Sequence, residues 1–241
     1  MIGETYFSSK GAEISTRELN PGYICAVSQG MMGKLESILI TPSTDFDHFF
    51  MLYEYRPEID DWVIVESIAK GTSFGLLSWY TELFHVHIFR PRKVHSDDIC
   101  LRAALHSLQY GRSRYDFIAV ARVVCITLYD IFKQLRKFKR PWVDYTKFPR
   151  SDNSRVICTE FVEYSFEKAG VHVFDPNYLA TPANFVEWCA RGFVEEVGEI
   201  PCDKPNRVKK FLWRYFIGAY YQVSNSSRLK RTGGLNYGKG K

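Results

Sequence analysis

No two cysteines in this 241-residue chain stand close enough to form a CxxC pair. All six (Cys25, Cys100, Cys125, Cys158, Cys189 and Cys202) are scattered, whereas a structural zinc site draws its ligands from close pairs. Residues 1–13 (MIGETYFSSKGAE) lack the basic and apolar regions of a secretion leader. The thiols therefore read as reduced rather than as a disulfide framework. No stretch reaches about eighteen apolar residues without a charge, so no spanning helix is expected. These readings leave the compartment open, with the cytoplasm or a carrying particle such as a virion as the expectation. The glycines are too sparse for a phosphate-binding loop, and no internal repeat is visible. No cofactor is expected.

Apolar residues are plentiful. Hydrophobic residues make up 46% and aromatics 16% of the chain, enough for the core of one large domain or two small ones. The net charge of +5 is unevenly spread, because residues 203–241 hold ten Lys or Arg against the single acid Asp203, leaving −4 on the rest. The expected organisation is a domain over 1–202 and a basic, aromatic extension over 203–241. Within the extension, 207–223 is apolar enough to pack and 224–241 reads as a solvated tail, and the basic residues of 203–241 could meet a polyanion.

Alternation marks the strands. Asn20-Pro21-Gly22 signals a turn before the apolar run 23–27. A short strand is expected at 37–40, and 46–55 and 62–68 alternate on either side of a loop at 56–61. A further strand is expected at 83–89. Side chains of a strand alternate between faces, so His48, Phe50, Leu52 and Glu54 should share one face. Trp62, Ile64, Glu66 and Ile68 should share another. A loop centred on Pro57 sets His48 opposite Glu66, and one centred a residue later makes them diagonal neighbours, roughly 7–8 Å apart. A half-residue shift puts them on opposite faces.

Helical patterns follow. Ser96-Asp97-Asp98 and Gly111 bracket one helix. A long amphipathic run from Tyr115 to about Lys139 presents Phe117, Ile118, Ala121, Val124, Cys125, Leu128, Ile131, Phe132 and Leu135, with a basic end and Pro141 as its stop. Asn153 or Ser154 can cap the next helix and Gly170 can end it. A short helix is expected at 182–190. Strands first and helices after suggest an α+β domain with an antiparallel sheet packed against helices.

Cys158 opens the helical run CTEFVEYSFEKAG. A helix N-terminus and a neighbouring imidazolium both favour a thiolate. His48 would supply the imidazolium, and Glu66 would hold its ring in one tautomer. Taken singly, each residue has a plainer reading. Phe161, Val162, Ser165, Phe166 and Ala169 follow Cys158 at helical spacing, so it also fits a buried stripe as a small hydrophobe. His48 alone fits a satisfied strand histidine, but Glu66 on an apolar face needs a partner. His85 and His87 could share a strand face and a metal, yet no third ligand has suitable spacing. The other five cysteines show no capping or charge pattern.

Six short motifs occur in order: Asn20-Pro21-Gly22-Tyr23-Ile24; Asp47-His48-Phe49-Phe50-Met51; Val65-Glu66-Ser67; Phe89-Arg90-Pro91; Gly111 with Tyr115-Asp116; and Cys158-Thr159-Glu160-Phe161-Val162 running to Lys168-Ala169-Gly170. Their order over about residues 20–190 resembles the circularly permuted NlpC-like branch of the papain-like cysteine peptidases. The likeness is to its YiiX-like group, related to the lecithin:retinol acyltransferase group. The resemblance implies a permuted papain-like fold with Cys158 as nucleophile, His48 as base and Glu66 as the residue that orients it. Tyr115 is a candidate oxyanion donor. Tyr23 departs from the family's usual acid, and the span 115–150 is longer than expected, an added helical insertion. The implied activity is hydrolysis of an amide bond, with cell-wall peptide as favoured substrate. Two alternatives remain: hydrolysis or transfer of a lipid acyl group, and a non-catalytic module in a virion or other assembly. In the second, the helix at 115–139 would dock a protein partner.

Overall fold

β-Branched and aromatic residues in alternation favour extended chain, and the segments rich in them form the sheet. The computed structural model describes residues 13–28, 44, 46–68, 70–92, 97–110, 113–135 and 155–202. Its elements, in order, are β1 (Ile24–Val27), β2 (His48–Arg56), β3 (Asp61–Ile68), β4 (Gly71–Leu76), α1 (Leu77–Thr81), β5 (Val86–Pro91), α2 (Asp97–Ser107), β6 (Arg114–Tyr115), α3 (Phe117–Leu135), β7 (Arg155–Val156), α4 (Cys158–Lys168), α5 (Pro182–Ala190) and β8 (Val194–Ile200). Six strands form one sheet in the order β4-β3-β2-β1-β5-β8, with every neighbouring pair antiparallel. β6 and β7 form a separate parallel pair. The fold is mixed α+β: an antiparallel sheet packed against helices.

All four residues of β1 are buried, as expected of a central strand covered on both faces. Phe49, Phe89, Phe174 and Phe185 form an aromatic cluster in which the Phe49 and Phe185 ring centroids lie 4.9 Å apart. The turn before β1 needs glycine. Gly22 has φ +82°, and a Cβ there would stand 1.9 Å from the Cys100 carbonyl oxygen on α2.

The β2–β3 hairpin decides the site. Beside its turn, Arg56 faces Asp61, Tyr55 faces Trp62 and Glu54 faces Val63. Continued, that register would set Glu66 opposite Met51, on the face His48 does not use. A β-bulge prevents this. Tyr53 is an extra residue on β2, and beyond it Leu52 faces Ile64 and Phe50 faces Glu66. His48 and Glu66 thus become same-face diagonal neighbours. The bulge also moves Glu54 off the face shared by His48, Phe50 and Leu52, where strict alternation had put it.

Other boundaries differ from the sequence reading. The strand expected at 83–89 runs from Val86 to Pro91, and Leu83 and Phe84 are buried just after α1. β4, α1 and β8 carry no clear sequence signal and were not anticipated. α2 ends at Ser107 and gives way to a 3-10 turn over Leu108–Tyr110, ahead of Gly111. The long helix spans Phe117–Leu135, and its expected continuation to residue 139 lies outside the described residues, as do the strand at 37–40 and the extension 203–241. The 182–190 helix is present, its first turn capped by Thr181, whose Oγ1 accepts the Asn184 N–H at 3.2 Å. Gly170, φ +92°, follows the end of α4 as expected. Among the described residues no helix is long and apolar enough to cross a membrane. All six cysteines are unbonded.

Candidate functional site

α4 begins at the cysteine itself. Ile157 is extended (φ −87°, ψ 169°) and occupies the cap position without a side-chain cap. Its N–H instead donates to Glu160 Oε2 at 3.1 Å, so the helix supplies its own carboxylate brace. This corrects the expected cap at Asn153 or Ser154, which lie outside the described residues. Cys158 is the first helical residue and is buried. Its neighbour Thr159 donates through Oγ1 to the Ala180 carbonyl at 2.5 Å, and Ser165 donates to the Phe161 carbonyl at 2.8 Å. Ser67 Oγ donates to the Val156 carbonyl at 3.0 Å, fixing the segment just before the thiol to β3.

His48 is the first residue of β2, and Val27 on β1 faces it. The ring is 7% exposed, and Nε2 lies 2.8 Å from Glu66 Oε2. Glu66 is fully buried. The same carboxylate oxygen accepts a hydrogen bond from the Tyr80 hydroxyl on α1. Tyr80 also stacks on His48, with ring centroids 5.7 Å apart and 19° between planes, and on Phe50 at 4.3 Å. The imidazole is thus held by its edge and by its face. A carboxylate removed from water needs such partners, because burying it alone costs several kcal/mol.

Cys158 is close enough to His48 to act on its charge. Burial works against a charged ring, but hydrogen bonds and charge attraction from Cys158 and Glu66 outweigh it, and His48 is pushed up to about 10. At neutral pH the ring therefore carries its proton, between a sulfur and a carboxylate. The geometry brings together Cys158, His48 and Glu66 from three elements, with His48 and Cys158 110 positions apart in sequence.

Tyr115, the candidate oxyanion donor, lies on β6. It is half-buried, and β6 pairs with β7 so that Tyr115 faces Val156, two residues before Cys158. Asp116 is buried and caps α3, its Oδ1 accepting the N–H groups of Ile118 and Ala119 at 3.0 and 2.9 Å. The two histidines considered for a metal are placed differently. His85 precedes β5 and is exposed, while His87 Nδ1 lies 2.8 Å from Glu196 Oε1. Among the described residues no group of three or more His, Cys, Asp or Glu could hold a metal ion. Burial pushes the Cys25 thiol up, and burial with Glu196 does the same to Cys189. That is the reverse of what a nucleophile needs. A second buried carboxylate, Glu163, accepts the N–H groups of Val173 and Phe174 at 3.0 and 2.9 Å and meets His172 Nδ1 at 2.6 Å, tying the loop after α4 back to that helix.

Tyr80 and Ser67 escaped the sequence reading. Tyr80 lies in LSWYT, a short segment with no motif, and its contacts with Glu66 and His48 mark it. Ser67 adjoins Glu66 on the strand and faces the other side, where a hydroxyl is unremarkable until Val156 is placed over it.

No family model matches the sequence, and no curated protein matches it. Among solved structures the chain is similar to the crystal structure of the metalloprotein YiiX from Escherichia coli O157:H7. The two share 14% identity with a TM-score of 0.49, over 76% of this chain and 98% of that one.

Proposed function

We propose that the chain is a cysteine hydrolase of permuted papain-like, NlpC-like architecture that cleaves an amide bond. Cys158 is the nucleophile, His48 the base and Glu66 the residue that orients it. One observation carries the reading: a buried imidazole that is hydrogen-bonded to a buried carboxylate and stands within reach of a helix-start thiol. Structural histidines seldom need both partners, and an activated sulfur does.

The chemistry follows from that arrangement. With Nε2 bound to Glu66, Nδ1 is left to exchange a proton with sulfur. The sulfur attacks the carbonyl carbon, an S–C bond forms and the carbonyl electrons move to oxygen. Backbone N–H groups at the start of α4 have no partner inside the helix, and together with Tyr115 they would hold that oxyanion. The C–N bond then breaks and the proton on His48 passes to the leaving amine. Water, deprotonated by His48, attacks the thioester and releases the acid and the thiol. Peptidoglycan peptide is the favoured substrate, on the family resemblance. A second reading, transfer or hydrolysis of a lipid acyl group, is favoured by the exposed apolar side chains of α3, which begin two residues beyond Tyr115.

The test is peptide-resolved alkylation by iodoacetamide across pH, followed by mass analysis of products from muropeptides and from phospholipids. Cys158 should react fastest of the six thiols at neutral pH, and the wild-type protein should release an amine from muropeptides while Cys158→Ser does not. Alkylation of Cys158 at the rate of a buried structural thiol, with neither substrate turned over, would sink the proposal.

A further inference from the structure

α3 faces the wrong way for a core helix. Ala119, Val123 and Thr127 are its buried side, and Val123 packs with Leu179. Its outward side is apolar: Ile118, Ala121, Cys125, Tyr129 and Phe132 recur at spacings of three and four, which is one stripe of an α-helix. Ile118 is 57%, Tyr129 64% and Phe132 65% exposed, and Phe117 beside the stripe is 60% exposed. Cations border it. Arg122 and Lys133 are exposed along one flank, and Asp130 is the one acid in the helix sequence. The sequence from Lys133 to Arg140 (KQLRKFKR) adds more, with five Lys or Arg in eight residues and no acid.

From this pattern we infer that α3 is an interfacial helix that docks the protein onto an anionic lipid surface. An outward apolar stripe inserts among acyl chains while flanking Lys and Arg meet the headgroups. Charge decides for lipid over protein. A stripe of about six side chains is small beside the roughly 20–30 residues per side of a stable protein interface, whereas cations on one flank match the negative charge of anionic headgroups. Binding is read without turnover, so the inference stands or falls apart from the thiol chemistry.

The experiment is co-sedimentation of the full chain with phosphatidylcholine vesicles, with and without phosphatidylserine. The wild type should bind the anionic vesicles at least about tenfold more tightly, the effect expected of a few cations near the surface, and salt should weaken that preference. Alkylation of Cys125, in the middle of the stripe, should slow when anionic vesicles are added. The pair Ile118→Ser with Phe132→Ser should lower vesicle affinity at least about tenfold while leaving the lipid-free melting temperature within about 2 °C. Four results would overturn the inference. The wild type could ignore anionic vesicles. The double variant could bind them as well as the wild type, which puts the contact in the 203–241 extension. The variant could lose several degrees without lipid, which means this chain already covers the stripe. Or the wild type could form dimers that the variant abolishes, which makes a second copy the occupant.

Discussion

His48 answers to two partners, and each substitution around it separates one demand from the other. His48→Ala removes the proton carrier, so Cys158 alkylation near pH 7 should slow at least about tenfold and turnover of a susceptible substrate should vanish. Glu66→Gln keeps the shape but offers one acceptor where His48 and Tyr80 now share a carboxylate oxygen. Turnover should fall on the order of 10³-fold, in line with losing the group that fixes a catalytic imidazole, with only small change in KM. Tyr80→Phe keeps the ring stacked on His48 and deletes only its hydroxyl. A fall in kcat of about tenfold at unchanged KM is expected, since one hydrogen bond to a charged group is worth roughly 1.5–3 kcal/mol. A Tyr80→Phe enzyme as active as wild type, measured by steady-state kinetics, would reduce Tyr80 to core packing.

At the scale of elements, the β2–β3 hairpin works by counting residues. Deleting Tyr53 removes the bulge yet leaves Leu52 facing Ile64 and Phe50 facing Glu66, so His48 and Glu66 stay on one face. The deletion should leave Cys158 alkylation within about tenfold of wild type, and a fall to the His48→Ala rate would mean that the kink of the bulge itself aims the ring. Tyr53→Ala keeps the count and should stay within about threefold of wild type. The same hairpin shows what was legible beforehand. Alternation around His48 and Glu66, and the turn near Pro57, were plain in the sequence, and the diagonal register was one of the two productive possibilities. The bulge was not legible, because its extra residue is a tyrosine rather than the glycine that often marks one. Periodicity likewise identified α3 as amphipathic but not which side faces inward; the side rich in Phe and Ile turned outward and small residues turned in. Cys158 at a helix start was visible in CTEF, but its cap was sought in Asn153 and Ser154 when the brace came from Glu160, inside the helix.

For the whole molecule, the site links catalysis to stability. The folded-state pKa of His48 is raised from 6.5 to about 10. Such a group contributes its full stabilisation below pH 6.5 and loses it as pH rises through about 10. The amount is on the order of a few kcal/mol. Melting temperatures measured from pH 6 to 10 should therefore fall more steeply for the wild type than for His48→Ala; parallel curves would mean that the ring is not held charged. A different consequence attaches to the short parallel pair of β6 and β7. Tyr115 and Val156 lie side by side, so the 39 residues between Tyr115 and Arg155 start and finish at one spot, with α3 among them packed through Val123 against Leu179. Closing a longer excursion costs only about 0.6 kcal/mol per doubling of its length. The part of that stretch beyond α3 can therefore vary in length at little cost, while the rivet that shuts it keeps its place beside the thiol.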